Sequence, residues 1–205
     1  MVDNHLKDRK NLKLISLGSG SSHHEIELAK YSNFEEIICI DIAKNRLLEA
    51  ESKAKKLMLT NIKFVCMDFN NYNIPKEYFD IVFFHSSLHH FDNMNDFVAN
   101  TIKNSLKSNG LLVINEYVGA TRLQFTKINE ALNIIPKEYR TRFKSNLFKK
   151  KFHGSGIIWM ILADPSECID SAKILEKLFS LEDEYLTKNT SDFIFGIYRK
   201  TSETS

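Results

Sequence analysis

Leu12 to Ala29 reads LKLISLGSGSSHHEIELA, and the architecture follows from it. Leu12 to Leu17 is mostly large and apolar, the signature of a buried strand. Gly18, Ser19, Gly20, Ser21 and Ser22 follow without a break. From His24 to Ala29 the apolar residues Ile26, Leu28 and Ala29 fall at helical spacing behind a serine cap candidate. A strand, a turn of small residues and a helix allow the backbone to approach a ligand closely. Gly18 and Gly20 can adopt positive φ and carry no Cβ, and the helix start offers unpaired N–H groups. The third glycine of a dinucleotide fingerprint is absent, with Ser22 or His23 in its place. Alone, the stretch reads equally as a strand-to-helix turn that binds nothing.

The next apolar run, Glu36 to Ile42 (EIICIDI), carries Asp41 at its tip. A carboxylate about 20 residues beyond a glycine turn, at the end of the following strand, is placed to accept from two ribose hydroxyls. Asp41 also suits the cap of the following helix, and the two roles are compatible. That helix is expected over Ala43 to Leu59, with Leu47, Leu48, Ala54, Leu57 and Met58 inward and Lys and Glu on a solvated face. Ile62 to Met67 (IKFVCM) reads as a third strand ending at Asp68. Asp68 is a second ligand candidate, facing an adenine amino group, or a turn residue with Asn70 and Asn71.

Phe79 to Phe84 (FDIVFF) is a fourth strand running into His85, Ser86, Ser87, Leu88, His89 and His90. Titratable residues directly after a hydrophobic strand sit where open α/β sheets bind ligands. Asn95 to Leu106 reads as a helix closed by Ser108-Asn109-Gly110, and Leu111 to Asn115 as a fifth strand leading to Glu116 and Tyr117. Strands alternating with helices at about 25-residue spacing argue for a parallel, doubly wound sheet.

The pattern then changes. Thr121 to Ile135 is helical, Lys144 to His153 interleaves lysines with Phe148 and Phe152, and Asp164-Pro165 opens another helix to about Phe179. Leu181 to Leu186 and Phe193 to Arg199 read as a closing β-hairpin. Neither repeats nor a low-complexity linker divides the chain, so residues 1–205 are expected to form one domain, with a core over 11–118 and 165–200 and an insertion over about 120–163.

The 205 residues are 43% hydrophobic and 26% charged, with a net charge of +2, the balance of a soluble globular domain and no global bias toward nucleic acid. Cys39, Cys66 and Cys168 lack CxxC spacing; Cys39 and Cys66 read as small core residues. No metal site and no disulfide framework is indicated. Without a leader or a long apolar span, a cytoplasmic location and no membrane partner are expected.

Taken together, LISLGSG at 14–20, ICIDI at 38–42, VCMD at 65–68, FDIVFFHSSLHHF at 79–91 and LKSNGLLVINE at 106–116 resemble the class I S-adenosylmethionine-dependent methyltransferases. The resemblance is strong over Leu12 to Asn115 and looser at the hairpin. It implies an α/β, Rossmann-like methyltransferase fold: a doubly wound, mostly parallel seven-stranded sheet, its last strand antiparallel beside the fifth, with a helical lid inserted between strands five and six. It implies S-adenosylmethionine as cofactor. Gly18, Ser19 and Gly20 would border the methionine part, Asp41 and Ile42 the ribose, and Asp68 and Phe69 the adenine. His85 and Ser86 would border the acceptor side. Ser16 stands where the family often has an acidic residue, and Glu25 is a substitute carboxylate for the methionine amino group.

Methyl transfer is an in-line displacement that needs placement and exclusion of water. An alcohol or ammonium acceptor must also lose a proton, for which His89, His90 and Glu116 are the candidates; the histidines read equally as pocket lining. The Asn-Pro-Pro-Tyr-like residues of many nucleic-acid amino-methylating enzymes are replaced by HSSLHH, which favours a small-molecule or sugar acceptor over nucleic acid. Tyr139, Arg140, Arg142 and Trp159 in the insertion suit such an acceptor, and its apolar residues also suit a homodimer contact. The competing readings are a non-catalytic partner subunit, a nucleic-acid methyltransferase using Lys144 to Lys151, and a nicotinamide-dependent oxidoreductase, against which the hairpin and the missing glycine argue.

Overall fold

A computed structural model describes residues 6–90, 101–117, 184–190 and 193–200. Strands β1 (Leu12–Leu17), β2 (Phe34–Asp41), β3 (Ile62–Cys66), β4 (Phe79–His85), β5 (Leu106–Tyr117), β6 (Glu184–Thr190) and β7 (Phe193–Arg199) form one sheet in the order β3-β2-β1-β4-β5-β7-β6. The first five run parallel, and β7 lies antiparallel between β5 and β6. Strand order reverses between β1 and β4, which opens a crevice at their carboxyl ends.

The central strands bury both faces, which is why they read as near-continuous apolar runs. Leu14, Ile37, Cys39, Ile81, Phe83 and Val113 point to one side, where Ile26 and Ala29 of helix α1 (His23–Ala29) and Ala50 and Ala54 of helix α2 (Lys44–Lys56) cover them. Ile15, Leu17, Ile38, Ile40, Val82, Phe84, Leu112 and Ile114 point to the other, against Leu88, Ile102 and Tyr198. At the opposite end of the sheet from the crevice, Asp80 accepts from the Lys13 backbone N–H at 3.0 Å and pairs with Arg9 and Lys107.

Several boundaries differ from the expectation, each for a local reason. Ser22 has φ 49° and makes no side-chain cap; its hydroxyl hydrogen-bonds that of Ser19. Met58 adopts φ 56° and ends α2 early, so Leu57 and Met58 are exposed, as is Leu48; Leu47, Ala50 and Ala54 form the inner stripe. Cys66 is exposed, because it ends a strand at the sheet edge, whereas Cys39 is buried on β2. β5 begins at Leu106, opposite Phe79, and its register then jumps to Leu111 opposite Ile81. Asn109, at φ 60°, lies in that bulge instead of closing a helix. Asn189 and Thr190 belong to β6, not to the hairpin turn. The 120–163 insertion, with Tyr139, Arg140, Arg142, Lys144 to Lys151 and Trp159, lies outside the described residues.

Candidate active site

A cleft of about 760 Å³ opens at the carboxyl ends of β1 to β4. The β1–α1 turn forms its floor with Gly18, Ser19, Gly20 and Ser21. The Gly18 and Ser19 N–H groups donate to the Ile40 carbonyl at 2.9 and 3.1 Å, which locks the turn to β2. Gly18 has φ 70°, and a Cβ there would lie 2.6 Å from Cβ of Ser87, so β4's following turn closes directly over it. Gly20 has φ 53°, and a Cβ added there would come no nearer than 3.8 Å, to the Arg46 guanidinium.

Asp41 joins two elements. Its Oδ2 accepts from the Gly20 N–H and its Oδ1 from the Ala43 N–H, both at 2.7 Å. The helix-cap reading is thus met in modified form, since Asp41 receives Ala43's N–H while Ala43 stands at the N-cap of α2. One bond per oxygen leaves acceptor capacity on both for a pair of vicinal hydroxyls. Beside it, Ile42 is 73% exposed and lines the cleft with Met67, Asp68 and Phe69.

Beyond β4, His85, Ser86, Ser87 and His90 complete the lining. The His85 ring lies 4.0 Å from that of His24, centroid to centroid, at 37°. Burial, followed by the neighbouring His24, holds the His85 imidazole below its ordinary pKa. His90 closes a 3-10 turn, Leu88–His90, with its N–H on the Ser87 carbonyl; the side chain of His89 lies outside the described part.

Three sequence candidates stand behind the cleft, not on it. Glu116 is fully buried, and its Oε2 accepts from the Ser87 and Leu88 N–H groups at 2.9 and 2.6 Å. It braces the turn that carries His90 through these two bonds. Ser16 and Glu25 are also buried, with the Ser16 hydroxyl donating to Glu25 Oε1 at 2.5 Å. Burial pushes the Glu25 carboxyl up, against the hydrogen bond from Ser16. Conversely, Arg46 and Met67 line the cleft without having been singled out by sequence. Arg46 looks from sequence like any solvated helix cation, and only its position one turn after Asp41 hints otherwise. His24 had no signal, because contact with His85 arises from the sheet order.

A family model for the methyltransferase domain matches residues 8–153, most of the chain. The protein is an S-adenosylmethionine-dependent methyltransferase of class I. Among solved structures, a protein assigned as an S-adenosylmethionine-dependent methyltransferase from Methanococcus maripaludis is 20% identical over 98% of this chain and 82% of its own, at a TM-score of 0.60. An S-adenosylmethionine-dependent methyltransferase from Aquifex aeolicus is 15% identical over 93% and 82%, at 0.57. The CurJ carbon methyltransferase is 12% identical over 98% and 51%, at 0.61. At these identities the likeness is one of fold. No curated protein matches.

The methyltransferase's cofactor is S-adenosylmethionine, and the cleft fits it on its own chemistry. Asp41 retains acceptors for two hydroxyls, Ile42 and Phe69 contribute apolar lining, and Gly18 and Gly20 present backbone without side chains to the cleft. Among the described residues no group of three or more His, Cys, Asp or Glu is arranged for a metal, and no helix is long and apolar enough to cross a membrane.

Proposed function

We propose that this methyltransferase methylates an oxygen or nitrogen of a small molecule or sugar, with His90 as the proton acceptor. The observation that carries the reading is that His85 and His90 both line the cleft beside the Gly18 turn. The sheet order runs β3-β2-β1-β4, so a ligand with adenine at Asp68 and ribose at Asp41 extends its sulfur toward Gly18 and His85. His90 then stands on the acceptor side.

S-adenosylmethionine supplies, when bound, an electrophilic methyl carbon on a sulfonium sulfur. The protein's own contribution is placement. Asp41 accepts from both ribose hydroxyls, and the bonds it receives from Gly20 and Ala43 fix its rotamer. Ile42 and Phe69 hold the ring, with Asp68 at its edge. Glu116 positions the His90 turn through two backbone N–H groups. The His90 imidazole takes the proton of an acceptor hydroxyl or ammonium and releases it to solvent. Ser16 and Glu25 are buried and paired with each other, off the lining of the cleft. The free thiols of Cys39 and Cys66 suit a cytoplasmic protein.

The test is transfer of labelled methyl from S-adenosylmethionine into separate pools of small alcohols, amines, sugars and RNA. Label in a low-molecular-mass pool, reduced at least tenfold by His90→Ala, supports the reading. Label in RNA alone would favour the nucleic-acid reading instead.

A further inference from the structure

His24 belongs to no motif, yet its ring is the nearest aromatic neighbour of a cleft residue. The His24 and His85 centroids are 4.0 Å apart, and Phe83 backs His85 at 6.3 Å. His85 is therefore held between α1 and its own strand while still lining the cleft. We propose that His24 is a positioning residue that fixes His85 as a charge-sensitive wall at the sulfonium end of the cleft. This rests on the placement of the cofactor given above.

The groups around His85 set the response. From α1 comes His24, and from β5 comes Glu116, whose carboxylate favours the imidazolium. The turn after β4 contributes Ser86, Ser87 and His90; across the cleft stand Asp41, Asp68 and Arg46. Burial and then His24 oppose protonation, which moves the titration of His85 below the ordinary imidazole value of 6.5. Protonation of His85 sets a positive charge against a second positive charge on the sulfonium. The product, S-adenosylhomocysteine, has a neutral thioether at the same place. Acid therefore weakens the substrate form more than the product form.

The experiment is calorimetric titration of the full chain with S-adenosylmethionine and S-adenosylhomocysteine from pH 5 to 8. The ratio of the two dissociation constants is expected to rise about tenfold in acid, with a midpoint below pH 6.5. His24→Phe keeps a ring against His85 but removes the neighbouring charge, so its midpoint moves upward. His85→Asn abolishes the rise. A wild-type ratio that stays constant with pH, or a His24→Phe midpoint equal to that of wild type, overturns the proposal. Failure of both ligands to bind at pH 7.5 overturns instead the cofactor placement on which it rests.

Discussion

The Asp41 carboxylate and the Gly20 backbone are joined directly: the Gly20 N–H donates to Asp41 Oδ2 at 2.7 Å. The residue at the tip of β2 thus shapes the turn after β1 before any ligand arrives. Since Oδ1 also holds the Ala43 N–H, Asp41→Asn exchanges one acceptor for a donor facing an N–H group. Urea denaturation is expected to show a loss of about 1.5–3 kcal/mol, the range for a hydrogen bond to a charged group. Unchanged stability would mean that the turn is held by the Ile40 carbonyl alone.

Gly18 is constrained twice, by its φ of 70° and by the 2.6 Å that would separate an added Cβ from Ser87 Cβ. Gly18→Ala is expected to cost about 1–3 kcal/mol. Ser87→Gly removes the clash but leaves the φ penalty and itself loses the Ser87 hydroxyl bond to the Leu17 carbonyl, so thermal melts should show Gly18→Ala costing less in the Ser87→Gly background than in wild type. An equal cost in both backgrounds would place the whole effect in the backbone.

Glu116 gives a sharp contrast between bracing and catalysis. Glu116→Ala leaves the Ser87 and Leu88 N–H groups without this acceptor in a buried place, and a stability loss of about 2–5 kcal/mol is expected. Glu116→Gln retains an acceptor oxygen and should recover much of that stability together with activity. If Glu116→Gln were fully stable yet inactive, Glu116 would take part in proton transfer after all.

The parallel sheet, the crevice and the line of strand tips were legible because each depends on local pattern. Apolar runs, glycines and terminal carboxylates sit next to one another in the chain, so Gly18, Gly20, Asp41 and Asp68 could be placed from sequence. What failed depended on contacts across the sheet. Glu116 lies near the end of β5 as Asp41 ends β2, and the two look alike in sequence, but one meets backbone N–H groups in the interior and the other faces the cleft. Met58 reads from its spacing as an inner helix residue, but its left-handed φ turns it outward. The His24–His85 contact joins residues far apart in the chain and had no local signal.

The Ser16–Glu25 pair predicts a pH effect of defined sign. The folded Glu25 pKa lies above 4.5, so the native state binds its proton more tightly than the unfolded chain does. The resulting stability is complete below the unfolded value and is lost as pH rises through the folded one. Glu25→Gln keeps an acceptor for the Ser16 hydroxyl and removes the titration. The stability of Glu25→Gln relative to wild type should therefore increase as pH rises from 4.5 to 8. Denaturation curves at three pH values check this, and a constant difference would show that Glu25 does not titrate abnormally.

The central claim is that the cleft over β1 to β4 holds the cofactor by way of Asp41. Calorimetric titration with S-adenosylhomocysteine, on wild type and on Asp41→Ala confirmed to be folded, tests it most directly. The account predicts saturable, one-to-one binding by wild type and a loss of at least about 100-fold in the variant, the scale of two charge-assisted hydrogen bonds. Equal affinity in the two proteins would contradict it.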